Sequence, residues 1–280
     1  MSFNSHDYLE QISSLQDADI DLARAGIALA AIAQAGISTD RYFHHMAKLS
    51  AEVGVRYLEL VEAGADEDAG TQLAALKHVI ADKHGYMGDQ ETYDDLQNSN
   101  LIRVIDRARG IPISLSILYI HIARAQGWQV AGLDVPGHFI CRLERDGERL
   151  LFDPFNDCKV LGAADLRFMI KAALGEEAEL SSDYFEPASN RAILMRLQNN
   201  IKFRQIEGED YKGALEVVQQ MRKIDPNEYR LLLDAGVLFA KVDETKSAID
   251  ALEAYVERAP SNRDRQEALM ILRQLQQKLN

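Results

Sequence analysis

The stretch Pro112 to Gln126 constrains this chain more than any other. Ile113, Leu115, Ile117, Leu118, Ile120, Ile122 and Ala123 leave it almost no polar face. A helix that is apolar nearly all round has to be buried, so the rest of the chain must cover it on every side. Pro112 suits the first helical position, where a missing N–H costs nothing, and Gly127 is a natural stop. With 280 residues there is enough chain to build such a core and a second module besides.

After Gly127 the apolar period changes from helical to two. Trp128 to Val135, His138 to Glu144 and Glu148 to Asp153 read as three strands, the last two joined by the hairpin dipeptide Asp146-Gly147. Ahead of the central helix, helices are expected. Asp17 and Asp19 precede the apolar run Ile20 to Ala35, which Gly36 closes. The Ala-rich face of that run suits internal packing and a dimer seam equally. Phe43, Met46, Leu49, Val53 and Tyr57 then recur at helical spacing, with Ser38, Thr39 and Asp40 as possible caps. Leu73, Leu76, Val79 and Ile80 share one face of a third helix over Ala69 to Lys83.

Residues 86–100 are polar, turn-rich and long for a simple connection, which marks a functional or disordered loop. A short helix, Leu101 to Arg107, follows, and Gly110 breaks it. The acidic, Ser- and Gly-bearing stretch 175–190 reads as the boundary between modules, giving 1–180 and 191–280. Beyond it the chain is helical and repeats itself. Ala214 and Ala248 are 34 residues apart, as are Pro226 and Pro260, and that spacing is the tetratricopeptide period. Leu232, Gly236, Phe239, Ala248 and Pro260 fall at its signature offsets, and Leu269 to Leu279 reads as a capping helix.

A formal charge of −13 argues against the backbone of a nucleic acid and against anionic lipid as partners. The first ten residues lack the basic-then-apolar pattern of a signal peptide. Two cysteines, Cys141 and Cys158, are too few for a disulfide framework, so a cytoplasmic location is expected. His44, His45, His78 and His84 have no carboxylate or cysteine partners at ligand spacing. Neither a metal nor a cofactor is expected.

The hairpin carries the first chemical signal. With a two-residue turn, Arg145 pairs with Glu148 and paired residue numbers sum to 293. His138 and Asp153 then lie diagonally on one face, about 7–8 Å apart at the backbone and within side-chain reach. A three-residue turn would shift this register. A carboxylate that orients an imidazole is half of a nucleophilic triad. The plainer reading is a hydrogen bond that fixes the hairpin, and geometry alone favours it.

Three blocks, Ile102 to Tyr119, Val135-Pro-Gly-His-Phe and Phe152-Asp-Pro-Phe-Asn, occur in order and closely resemble the SirB family of bacterial proteins. The resemblance is strong over about 90–162 and reaches into the C-terminal repeats. It implies an α+β chain: a helical N-terminal region, a transglutaminase-like (papain-like) core with a buried central helix and an antiparallel sheet, and tetratricopeptide-like helical repeats. In active members of that wider superfamily a cysteine starts the central helix, followed by a histidine and an aspartate. His138 and Asp153 match the last two, while Pro112 stands at the cysteine position. Ser114 is a weak substitute, about 200° round the helix from Pro112. Ser114 and Ser116 are better read as hydroxyls bonded back to a carbonyl one turn earlier. Cys141 alternates onto the face opposite His138, and Cys158 stands where the family usually has glycine. Asn98, Arg109, Pro112 and Asn156 either line a groove for a peptide or small polar ligand or, for the asparagines, cap loops.

The reading is a catalytically silent core joined to a repeat that presents a concave surface to a protein or peptide partner. The acidic charge favours basic or amphipathic peptides, and the family's naming implies a link to bacterial gene regulation. The rival reading is a hydrolase or acyl-transfer enzyme that uses His138 and Asp153 on water or a non-cysteine nucleophile. A weaker rival is a chaperone-like adaptor acting through the repeats alone.

Overall fold

Short apolar faces, capped by aspartates, build the N-terminal layer in the computed structural model, which describes residues 3–34 and 36–279. Helix α1 is Ser5–Ile12 and α2 is Leu22–Ile32. The cap of α2 is Asp21, whose carboxylate accepts from the Arg24 N–H at 3.0 Å. Asp17–Asp19 forms a separate 3-10 turn ahead of it, so the helix starts later than those two aspartates suggest. Ala35, the expected last residue of the Ala-rich run, lies outside the described residues, and Gly36 has the left-handed φ of +87° expected of a stop. Leu22, Ala23, Ala25 to Leu29 and Ala30 are buried within the single chain. The Ala-rich face is therefore internal packing. A Cβ on Gly26 would come within 2.7 Å of Leu101 Cδ2, so a larger residue there would push the Leu101 side chain aside.

Helix α3, Asp40–Glu62, buries Tyr42, Met46, Leu49 and Val53, while Phe43 and Tyr57 are half-buried. Thr39 stands at its cap position without a side-chain capping bond. Helix α4, Ala69–Lys77, is capped by Asp68 and runs on into a π-helical turn, His78–Lys83. Leu73, Leu76, Val79 and Ile80 are all buried. Strand β1, Met87–Gly88, pairs in parallel with β2, Arg109–Gly110, and α5, Leu101–Arg107, stands between them in sequence. The central helix is α6, Pro112–Ala125, with every residue from Pro112 to Ile120 buried. It packs on α2, α3, α4 and α5 and on the sheet, which is the covering its composition demands.

That sheet is antiparallel, in the order β3 (Gln129–Val135), β4 (His138–Arg145), β5 (Glu148–Asp153), β6 (Lys159–Val160). Arg145 pairs with Glu148 and Cys141 with Phe152, the register of a two-residue turn. Asp146 and Gly147 have φ of +51° and +87°, as that turn requires. Helix α7, Ala163–Leu174, follows, and residues 185–188 then meet the sheet at β3 and β4. Ala188 N–H donates to the Gly132 carbonyl at 2.9 Å, Leu133 bridges Pro187, and Arg142 donates to the Phe185 carbonyl.

Helices α8 (Asn190–Glu207), α9 (Tyr211–Ile224), α10 (Arg230–Lys241), α11 (Thr245–Arg258) and α12 (Asn262–Leu279) complete the chain. It divides into two compact units, Met1–Tyr8 with Gln16–Leu197 and Leu9–Leu15 with Gln198–Asn280. The spatial division thus falls inside α8, not in 175–190. In the second unit the repeat spacing has a structural counterpart. Ala214 and Ala248 are fully buried, and Pro226 and Pro260 each follow the end of a helix, α9 and α11. A Cβ on Gly236 would lie 2.5 Å from Leu252, which lets α10 and α11 approach closely.

Candidate functional site

The end of β4's partner strand holds the chemistry. His138 Nε2 lies 2.7 Å from Asp153 Oδ2 across β4 and β5. Asp153 Oδ2 also accepts from Asn156 Nδ2 at 2.7 Å, and Oδ1 accepts from the Phe155 N–H at 2.9 Å. Asp153 is 1% exposed, and burial alone would raise its pKa. The bond from His138 and the nearby imidazole charge, followed by Asn156 and Phe155, outweigh burial and leave the pKa lowered. Because the carboxylate accepts, His138 carries its proton on Nε2, and Nδ1 has no hydrogen-bond partner among the described residues. The Phe155 ring packs edge-on against the imidazole at 6.1 Å.

The side chains at the start of α6, Pro112 among them, are buried. Ser114 is fully buried, accepts from the Ile111 N–H at 3.0 Å and donates to the Asn98 carbonyl at 2.7 Å. The Ile111 carbonyl one turn earlier lies 3.0 Å from Ser114 Oγ, the bond expected of it, although the shorter bond goes to the preceding loop. Ser116 is buried but bonds to no carbonyl, which corrects the same expectation there. Cys141 is fully buried, and desolvation pushes its thiol well up. Cys158 lies against the Tyr119 hydroxyl at 3.1 Å, and burial pushes its pKa up to about 12. Its φ of +56° is the left-handed conformation that glycine favours. Nucleophilic cysteine chemistry needs a lowered pKa, and both thiols are moved the other way.

The long loop after β1 is held from within. Asp89 accepts from the Thr92 N–H and hydroxyl at 2.8 and 2.7 Å, and from Arg107 Nη2 at 2.9 Å. Burial alone would raise its pKa, but these bonds and that of Asn98 hold it well below the usual carboxylate range. Asn98 is fully buried, donates to the Thr92 carbonyl at 2.6 Å and accepts from Arg107 Nη1 at 2.9 Å. Asn98 therefore serves the loop itself. The sequence signal for the clamp is Asp89 three residues before Thr92, the spacing of an aspartate-capped turn.

Beside the pair opens a cleft of about 690 Å³. Arg109 and Asn156 line it, together with Asp82, Tyr86, Met87, Glu91, Phe155 and Asp157. Of the four proposed binding residues, these two are brought together, while Asn98 and Pro112 are buried and are not part of its lining. Asn156 joins the cleft to Asp153, and Phe155 touches both the cleft and His138. Among the described residues no three side chains of metal-ligating type gather at one point.

A histidine on β4 thus meets its aspartate on β5, with the buried helix α6 packed on the same sheet. A family model described as the transglutaminase-like superfamily matches residues 40–199, and a tetratricopeptide repeat model matches 201–276. A UPF0162 protein of Xylella fastidiosa (strain Temecula1) is 30% identical over 230 residues, 80% of this chain and 82% of that one. The chain belongs to the transglutaminase-like superfamily, in the UPF0162 family. SirB1 of Salmonella typhimurium is 23% identical over 192 residues, covering 68% of this chain and 71% of that one. The SirB resemblance and the α+β class read from the sequence are borne out. The crystal structure of menin aligns over 95% of this UPF0162 chain and 73% of its own, at 9% identity and a TM-score of 0.36, a likeness too loose to carry an argument.

Proposed function

We propose that this chain is a protein-interaction module in which a catalytically silent transglutaminase-like unit accompanies tetratricopeptide-like helices. One observation carries the reading: Ser114, Ser116, Cys141 and Cys158 are all buried, and Ser114 already spends its oxygen on backbone groups. Acyl transfer needs a nucleophile that meets both the base and the substrate. Tetratricopeptide repeats in general bind proteins, which supports a protein or peptide partner for residues 201–276. No described helix is long and apolar enough to cross a membrane, and the acidic charge disfavours nucleic acid. Activity in the bacterial cytoplasm is part of the proposal. The test is intact-mass measurement after incubation with an activated ester such as p-nitrophenyl acetate. No acyl adduct is expected on Ser114 or Cys158, and an adduct on either would overturn the reading.

A second reading has its own observation. His138 Nδ1 is left without a partner among the described residues while Nε2 is held by Asp153, the tautomer of a general base that acts on water. Ester hydrolysis that disappears in His138→Ala would establish it.

A further inference from the structure

The cleft beside the pair is better built than a surface dent, and its lining is chemically one-sided. Its walls combine apolar and acidic groups. Met87 is 46% exposed, and Phe155 stacks edge-on with Tyr93, itself 39% exposed, at 5.7 Å. Four carboxylates line it: Asp82, Asp89, Glu91 and Asp157. Two are already neutralised, Asp89 by Arg107 at 2.9 Å and Asp157 by Lys77 at 2.5 Å. Asp82 and Glu91 are exposed and have no ion-pair partner among the described residues. Arg109 is the single cation in the lining, and it reaches only the Gly85 carbonyl, at 3.4 Å.

The wall is held in place at some cost. Burying Asp89 and Asn98 beneath an exposed loop is a poor way to gain stability, because buried ion pairs barely repay their desolvation. What the clamp does achieve is to fix Asp89 and Thr92, and so the turn that carries Glu91 into the cleft wall and sets Tyr93 against Phe155, before anything binds. Preorganisation of that kind lowers the cost of association. An apolar wall that continues into free carboxylates complements a side chain with an aliphatic stem and a cationic head. A volume of about 690 Å³ holds more than one residue.

We propose that this cleft docks an extended, lysine- or arginine-bearing segment of a partner protein, without covalent chemistry. Its stems lie on Met87 and Phe155, and its charged heads meet Asp82 and Glu91. This rests on the interaction-module reading and gives the core unit a binding site of its own, separate from the repeats.

The experiment uses the full chain and a fluorescein-labelled octapeptide of alternating lysine and alanine, read by anisotropy at about 150 mM salt, near the physiological screening length. An octapeptide with glutamate in place of lysine is the control ligand. The double variant Asp82→Lys/Glu91→Lys is compared with Glu177→Lys/Glu179→Lys, which alters net charge equally at exposed sites outside the cleft. The first is expected to weaken the lysine peptide by about tenfold or more and the second by less than about twofold, since only the first reverses contacts within reach. Met87→Ser is expected to weaken binding by a factor that does not change with salt. Equal weakening by both double variants, or wild-type affinity no better than for the glutamate peptide, would overturn the proposal. The recovered peptide is weighed by mass spectrometry. Binding without mass change supports both readings. Cleavage or acylation sinks the silent-core reading but leaves the docking site, and absence of binding sinks the docking site alone.

Discussion

At the scale of single residues, the pair His138 and Asp153 separates what a hydrogen bond does from what a catalyst does. The pKa of Asp153 is lowered on folding, so the carboxylate contributes stability that is full above its unfolded pKa of about 4 and is lost as pH falls through the lower folded value. Denaturant unfolding followed from pH 6 down to pH 3 is expected to show this loss, with a shallower slope in Asp153→Asn. An equal slope in that variant would mean the bond is not formed in solution. The thiols make a second residue-scale test. With Cys158 pushed up to about 12 and Cys141 higher still, neither is a thiolate at neutral pH. Labelling by a chromogenic disulfide is expected only as the chain unfolds, and fast reaction in the native state would contradict the burial described. The pairing of His138 with Asp153 was legible in the sequence because a two-residue turn fixes strand register. A carbonyl-bonded Ser114 and a loop-capping Asn98 were legible too, but their partners Asn98 and Arg107 were not, because these bonds join a loop to the start of α6 and to α5 and no local pattern encodes them.

At the scale of elements, the block Arg109 to Ser114 that carries much of the family resemblance is a joint. Gly110 has no room for a Cβ, which would sit 2.5 Å from Ser114 Oγ, and Ser114 ties α6 to the loop before α5. Ser114→Ala is expected to cost about 1–2 kcal/mol, because the Asn98 carbonyl and the Ile111 N–H lose their short bonds to the hydroxyl and keep only a 3.4 Å bond to each other. Equilibrium unfolding measures it, and a change below about 0.5 kcal/mol would show that water or relaxation replaces the bond. Asp89→Asn removes the carboxylate that Arg107 and Thr92 share, and hydrogen exchange is expected to speed up first in residues 89–98. Strands and long helices were legible at this scale from their periods. The start of α2 was not, since Asp17, Asp19 and Asp21 are equally good caps by composition and only tertiary bonds from Asn190 and Arg191 to Asp17 assign them.

At the scale of the whole molecule, two compact units share one chain, and the 34-residue spacing in the sequence pointed to the helical repeats of the second. The exact division was hidden, because α8 runs unbroken through Leu197 and Gln198 and because Leu9–Leu15 groups with the C-terminal unit. Within that unit Glu10 meets Lys223 at 3.3 Å, and Leu9 and Ile12 are fully buried. Ile12→Ala is expected to cost about 2–5 kcal/mol and to lower the melting of the C-terminal unit in particular. Protection lost instead from α6 and the sheet, read by hydrogen exchange, would place that segment with the other unit.

The central claim is that the transglutaminase-like unit keeps its histidine and aspartate for structure and has no nucleophile to serve. The most direct measurement is the melting temperature and the hydrolysis rate of His138→Ala beside the wild-type chain, on the same panel of esters and amides. The account predicts a loss of about 1 kcal/mol or more, a drop of about 2–4 °C at this chain length, with neither protein exceeding the buffer rate. A wild-type rate above the buffer that vanishes in His138→Ala while the melting temperature holds would contradict it.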